Sequence, residues 1–338
     1  MKFYTRRQTF ALAAGTACLA GATAAWHGQA GAASPIMFRM YSSLPTDENS
    51  SHYVWYKGFK AALDARTGGQ IVVNFFPNSQ LGAESAAIQQ VRLGAIDMMI
   101  SGTSIWATIT PEIGVLDLGY LFDGWDDVGR VLGGQPGKLL GQQLEKKGNV
   151  SILGYGYSLG ARNVFARNPV KTPQDLRDVK IRALPVPNVM ATLKAMGAAP
   201  IPMPGGEVYS GLQTGVIDGL EHDAPTVLAS KFYEIAKFCA LTKHIYNPIV
   251  AVVNQASFNR LPAALKADFL AAAAEATDQE RATAKVSEAK AFEALKTLGL
   301  TVNEIDRAYF RQAVKPVWTA FAAKYALAAE VLHEIGAG

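Results

Sequence analysis

The stretch Val179 to Pro187, "VKIRALPVP", decides the fold. Val179, Ile181 and Ala183 alternate with Lys180, Arg182 and Leu184, which is the two-residue period of a half-buried strand. Pro185 and Pro187 then remove the backbone donors that a ladder needs, so the strand ends there. An arginine is thereby placed where a strand runs out, and open α/β sheets hold their ligands at such strand ends. The sequence on either side sets that strand in a repeating strand–helix rhythm.

Upstream, "MFRMYSSLP" (37–45), "QIVVNFF" (70–76) and "AIDMMIS" (95–101) read as strands. Between them, Trp55, Phe59, Ala62 and Leu63 share one face of a helix from Tyr53 to Arg66 that "TGG" stops. Ala87, Ile88 and Val91 do the same on a helix from Glu84 to Leu93. Downstream, "SILGYGYS" (151–158), "RNVFAR" (162–167), "VIDGLE" (216–221), "PIVAVVNQ" (248–255) and "GLTVNEID" (299–306) read as strands. Thr172, Pro173 and Asp175 open a helix, while "NVMATLKAM" and "EVYSGLQT" are helices closed by Gly197 and Gly215. From Pro262 to Leu298 the chain is one Ala-rich helix that would span roughly 55 Å, too long for one small domain. The plan is α/β and bilobal: two open α/β sheets joined by crossing strands and a long helix, with the site in the cleft between lobes. Residues 34–159 and 248–287 form the first lobe and 160–247 and 288–338 the second, with the helix 262–298 spanning both.

Residues 1–33 stand apart from this plan. Lys2, Arg6 and Arg7 precede the apolar "ALAAGTACLAGATAA" and a small-residue exit at Ala30 and Ala32, the layout of a cleaved export signal. "TRRQTF" is similar to a twin-arginine signal. The apolar run is too short and too rich in Ala and Gly for a membrane span, and the residues before Cys18 do not suit a lipid anchor. Without these residues the chain carries 29 basic and 28 acidic side chains, three of the 32 Lys and Arg lying in the signal, so its basicity gives no support to a nucleic-acid partner. Cys239 alone remains, so no internal disulfide can form.

Six ordered segments carry a resemblance: "TGGQIVVNFFPNSQLGAE", "LGAIDMMISG", "GARNVFARNPVKTPQDLRDVKIRALPVP", "PIPMPGGEVYSGLQTGVIDGLEHDAPTV", "KFYEIAKFCALTKHIYNP" and "VVNQASFNRLP". Over residues 36–320 the chain resembles the DctP-type solute-binding proteins of TRAP (tripartite ATP-independent periplasmic) transporters. The resemblance implies a periplasmic protein that captures a small carboxylate by hinge closure and hands it to the TRAP membrane permease, with no chemistry on the ligand and no cofactor; some relatives hold a metal beside the carboxylate, and no cluster in this sequence supports one. It implies that Arg182 clamps the ligand carboxylate and that Arg162 assists. It also places Ser79, Glu84, Ser101, Thr103, Trp106, Glu221, His222 and Asp223 around the ligand. His222 stands where the family often has asparagine, and Gly205 stands where sialic-acid binders stack a phenylalanine. Both departures point away from sialic acid, and a sugar acid is the favoured ligand.

The residues themselves leave alternatives open. A guanidinium gives a carboxylate two parallel hydrogen bonds, but an arginine at a strand end also serves as a structural ion pair. Glu221 and Asp223 need partners in a cleft of low dielectric, either ligand hydroxyls or a ligand ammonium, and Asp223 also suits an N-cap before "APT". Trp106 suits a ring or the core. His52, His244 and His333 lack metal-ligand spacing, and "GYG" and "PGG" lack a phosphate-loop context. Two other functions remain at this level. A periplasmic enzyme would use Glu84, Glu221, His222 and Asp223 as acid and base, and a sensor subunit would present its ligand to a membrane receptor.

Overall fold

The computed structural model describes residues 34–336; the export signal read in residues 1–33 lies outside them. In chain order the strands are β1 (Ile36–Tyr41), β2 (Ile71–Phe76), β3 (Met98–Gly102), β4 (Val150–Tyr157), β5 (Arg162–Ala166), β6 (Lys180–Ala183), β7 (Ala199–Pro202), β8 (Gly219–His222), β9 (Phe238–Ile245), β10 (Pro248–Asn254) and β11 (Thr301–Asn303). They form two sheets, ordered β2-β1-β3-β10-β4 and β11-β9-β5-β8-β6-β7. Pairing is parallel within β2-β1-β3 and β8-β6-β7, and antiparallel where β10 meets β3 and β4 and where β5 meets β8 and β9. β4 of the first sheet leads directly into β5 of the second, and β9 of the second leads back into β10 of the first. These are the crossing strands of a bilobal α/β fold.

The strand that opened the sequence reading differs in one respect. Lys180 is exposed, but Ile181, Arg182 and Ala183 are all buried, because β6 lies between β7 and β8 and is covered on both faces. An interior strand of an α/β sheet loses the alternation that an exposed face imposes. β7 and β9 went unread. β7 contains Pro200 and Pro202, which its edge position tolerates, and β9 is an eight-residue strand of mixed polarity. The segment Pro173–Leu176 is one 3-10 turn, although Thr172 and Asp175 form the expected capping box.

Local chemistry fixes the main helices. Ser50 caps the helix Ser51–Thr67 by accepting from the Tyr53 amide at 3.4 Å, and Gly68 ends it in the left-handed region at φ +58°. The long helix runs from Ala263 to Thr297 over 35 residues. Its first half packs on Ser51–Thr67 and β4, and it goes on to contact the helix Ala224–Ala229 behind the second sheet. Close approach to β4 requires glycine: a Cβ at Gly154 would collide with the Thr277 hydroxyl, and one at Gly156 with the Glu280 carboxyl. The same helix then holds the crossing strand. Glu280 Oε2 accepts from the Tyr157 amide at 2.9 Å, and Glu288 Oε1 from the Ala161 amide at 3.1 Å.

Three apolar clusters result. One around Trp55, Phe59 and Phe269 backs the first sheet, and one around Phe165, Leu212 and Leu295 backs the second. The third runs through both halves, joining Trp106, Val115 and Leu140 to Ile181, Val189 and Phe310. Hydrogen bonds reinforce that junction. Asn188 Nδ2 donates to the Gly114 carbonyl at 2.7 Å, and the Gly119 amide donates to Thr192 Oγ1 at 3.2 Å. The shared cluster and these hydrogen bonds thus tie the two sheets together at the cleft.

Candidate functional site

At the cleft the strand ends and crossings enclose a cavity of about 50 Å³, against the roughly 10–15 Å³ that one water needs. Ser43, Glu84 and Ser104 line it from the first sheet's side, Arg162, Leu184 and His222 from the second's, and Ser158 and Asn247 from the crossings. Two larger grooves, about 570 and 1060 Å³, flank the helix Arg307–Lys324 and carry no buried charged side chain.

The two arginines occupy different electrostatic states. Arg162, first residue of β5, is buried and forms a two-pronged ion pair with Glu221 on the neighbouring strand β8. Its Nε donates to Glu221 Oε2, its Nη2 donates to Glu221 Oε1 at 2.7 Å and to the Glu221 carbonyl at 3.1 Å, and His244 Nε2 stands 3.5 Å behind the same carboxylate. Burial acts to raise the Glu221 pKa, but the Arg162 charge and His244 outweigh it and hold the carboxyl well below the usual range. Glu221 therefore holds Arg162 and is not available to a ligand.

Arg182 is 1% exposed, and its one hydrogen bond among the described residues runs from Nε to the Met203 carbonyl at 2.9 Å. No described acid forms an ion pair with it. Burial pulls its pKa down to about 10, with Glu221 and Glu84 opposing and Arg162 adding to the fall. It is not part of the cavity wall, but its charge, after the Ser43 hydrogen bond, partly opposes the rise that burial imposes on the Glu84 pKa. Its two terminal amino groups meet no described acceptor.

Glu84, the first residue of its helix, reaches the cavity and accepts from Ser43 Oγ at 2.8 Å. His222 and Asp223 also line it. Asp223 is the N-cap of Ala224–Ala229: its Oδ1 accepts from the Thr226 amide at 2.9 Å and its Oδ2 from Thr226 Oγ1 at 3.1 Å. The same Oδ2 lies 2.8 Å from His222 Nδ1, so the cap fixes the imidazole as well. Burial, then Arg162, lowers the His222 pKa, and burial pushes His52 down to about 3, so both rings are neutral at pH 7.

Six expected residues do not line the cavity: Arg182 and Glu221, described above, and four more. Ser101 Oγ accepts from Trp106 Nε1 at 3.0 Å, both buried, and Trp106 belongs to the shared core. Thr103 Oγ1 donates to the Pro248 carbonyl at 3.2 Å, joining β3 to β10, and Ser79 Oγ meets the Tyr41 hydroxyl at 3.2 Å in the turn after β2. None of the four lines the cavity. Sequence reasoning missed Ser43, His52, Ser104, Ser158 and Asn247. Asn247 had a signal, since it stands immediately before the proline that opens β10, where the chain crosses back. Ser104 sits in a four-residue helix with no periodicity to read.

Comparison with known proteins gives the chain its family. The family model for DctP, bacterial extracellular solute-binding protein, family 7, matches residues 42–325. The 2,3-diketo-L-gulonate-binding periplasmic protein of Escherichia coli is 37% identical over 271 residues, which is 80% of this chain and 82% of that one. The C4-dicarboxylate-binding periplasmic protein of Rhodobacter capsulatus is 30% identical over 265 residues, 77% of this chain and 79% of that one. A crystal structure of a TRAP periplasmic solute-binding protein from a Sulfitobacter species with bound β-D-galacturonate superposes with a TM-score of 0.82 at 28% identity, over 88% of this chain and 98% of that one. This chain belongs to the DctP family, the bacterial extracellular solute-binding proteins of family 7.

Proposed function

We propose that this protein is the periplasmic solute-binding subunit of a TRAP transporter. It captures a small monocarboxylate, a sugar acid foremost, between its lobes and delivers it unchanged to the membrane permease. Residues 1–33 direct export and are removed. The halves 34–159 with 248–287 and 160–247 with 288–338 close on the ligand about the crossing strands. The observation that carries this reading is Arg182, a buried cation with no described acid paired to it, whose charge acts on Glu84 in the cavity wall. Its planar fork suits a carboxylate, and Arg162, held and neutralised by Glu221, forms a rigid part of the cavity wall. The galacturonate in the Sulfitobacter neighbour and the diketogulonate of the Escherichia coli relative support a sugar acid. The enzyme alternative loses ground because two of its four groups, Glu221 and Asp223, are committed to Arg162 and to a helix cap. Among the described residues no helix is long and apolar enough to cross a membrane.

The test is thermal unfolding of the mature chain, stripped of ligand by denaturation and refolding, against a panel of small carboxylates. A binder at a hundredfold excess over its Kd adds about 2.7 kcal/mol and raises the melting temperature by a few degrees. The compound recovered afterwards keeps its mass and stereochemistry. A panel without any stabilising carboxylate, or a recovered compound that has been altered, overturns the proposal.

A further inference from the structure

Beneath the cavity lies a buried acid that capture as described does not use. Asp117 ends the 3-10 segment Pro111–Asp117, is fully buried and is not part of the cavity wall. Its Oδ1 accepts from Ser104 Oγ and from Asn247 Nδ2, each at 2.6 Å, and Asn247 Nδ2 also donates to Ser104 Oγ at 2.8 Å. Ser104 and Asn247 both line the cavity.

While Asp117 Oδ1 carries no proton, the hydrogens of this triangle are fixed. A carboxylate oxygen without a proton only accepts, so both amide hydrogens of Asn247 turn inward, one to Asp117 and one to Ser104. The Ser104 hydroxyl hydrogen is likewise committed to Asp117. Burial pushes the Asp117 pKa up to about 7 and its Oδ2 meets no described donor, so the pattern holds for the carboxylate and for the acid protonated on Oδ2, whereas a proton on Oδ1 would reverse it at Ser104. What these residues offer the cavity is therefore acceptors: a lone pair of Ser104, and Asn247 Oδ1, which no described donor meets. Asn247 Oδ1 lies against Gly102, another wall residue, where any Cβ would crowd it. Glu84 continues the pattern, with one oxygen taking the Ser43 hydroxyl and the other free of described donors. The strong donors, Arg162 and Arg182, belong to the second sheet.

We propose that Asp117 is a positioning residue that fixes the hydrogen-bond polarity of the cavity, making the wall formed by Ser104, Asn247 and Glu84 acceptor-only, so that the ligand is a monocarboxylate bearing hydroxyl donors and a dicarboxylate is rejected. The inference rests on the capture reading above and adds the ligand's orientation. The carboxylate faces the arginines, and the hydroxyl end faces Ser104, Asn247 and Glu84. A second carboxylate at that end would meet acceptors and a like charge with no donor to receive it.

The experiment measures Kd by calorimetry for D-galacturonate and D-galactonate, for galactarate, which carries a carboxylate at each end of the same carbon chain, and for succinate. The wild-type chain is expected to favour the better sugar monoacid over either diacid by about 100-fold or more. Asp117→Asn, which keeps an accepting oxygen in place, is expected to retain that preference. Asp117→Leu removes the acceptor, frees the Ser104 and Asn247 donors to face the ligand, and is expected to narrow the preference at least about tenfold. Asp117→Ser makes the same deletion with less bulk should the leucine variant not fold. A purely structural role for Asp117 would weaken all ligands by one common factor, and that result overturns the proposal. So does a wild-type chain that binds a diacid as tightly as the monoacids, or a folded Asp117→Leu that keeps the full preference. If no carboxylate binds the wild-type chain, the capture reading itself fails. If the sugar monoacids bind and the preference is absent, this inference alone fails.

Discussion

Replacing Arg182 by methionine separates the two consequences of its burial. In the ligand-free protein the guanidinium has one hydrogen bond, to the Met203 carbonyl, and no described carboxylate partner. Burial lowers its pKa from 12.5 to about 10, and at roughly 1.4 kcal/mol per unit the fold disfavours the charge by about 3 kcal/mol. The sign follows from a base whose folded pKa is depressed. Below about pH 10 the group is charged in both folded and unfolded chains, so the whole penalty applies at neutral pH, and it lifts only as pH rises towards 12.5. Methionine is of similar length and apolar. Its introduction strands the Met203 carbonyl, which takes back about 1 kcal/mol. The ligand-free variant is therefore expected to be more stable than wild type by about 2 kcal/mol, a rise of a few degrees in melting temperature. Ligand affinity moves the other way, falling by about 3–5 kcal/mol, or two to three and a half decades in Kd. Differential scanning calorimetry on stripped protein reads the first quantity and titration calorimetry with D-galacturonate the second. Arg182→Lys keeps the charge and loses the fork, so it should bind less tightly without the gain in stability. A methionine variant that melts below wild type and binds with unchanged Kd would refute both halves of the reasoning.

Three further perturbations probe the frame around the site. Glu280 is buried and its carboxyl is pushed up to about 8, so between about pH 4.5 and 8 the folded chain holds a proton that the unfolded chain has lost. Stability should fall across that window by a few kcal/mol, and Glu280→Gln should flatten the fall, as urea midpoints at pH 5 and pH 8.5 will show. Glu221→Ala leaves Arg162 buried without its partner and should lower stability by about 3–5 kcal/mol in denaturant titration, whereas a change below about 0.5 kcal/mol would mean that the pair does not form. Gly154→Ala drives a Cβ into Thr277, whose hydroxyl accepts from Trp55 Nε1 at 2.9 Å, and should cost about 1–3 kcal/mol, measured as a lower midpoint with unchanged slope.

The sequence made the frame legible and left the site half so, for physical reasons. Periodicity and caps act within a few residues, so the helix Ser51–Thr67 with its αL glycine at Gly68 and the long helix Ala263–Thr297 emerged nearly to their true ends. β7 stayed hidden because its two prolines argue against a strand, and only its edge position, a tertiary fact, permits them. The same limit governs the site. Asp223 was readable as a cap because the "DAPT" signal is local. Asn247, Ser104 and Asp117 were not, because their triangle joins residues separated by 13, 130 and 143 positions.

The two arginines show where resemblance stops and geometry takes over. The resemblance gives Arg182 as the clamp and Arg162 as its assistant, and both are buried. Only the strand pairing distinguishes them: β5 runs antiparallel to β8, which sets Arg162 within reach of Glu221 and lets that acid neutralise it. β6 is flanked by β7 and β8, and on β7 Arg182 faces Ile201, so its nearest acceptor is the Met203 carbonyl beyond that strand's end. A carbonyl satisfies a hydrogen bond and leaves the charge uncompensated. One arginine therefore belongs to the scaffold that shapes the cavity, and the other keeps a buried charge that no described acid balances. The proposed specificity rests on that division: the locked pair adds no net charge to the wall, so one carboxylate on the ligand would balance Arg182.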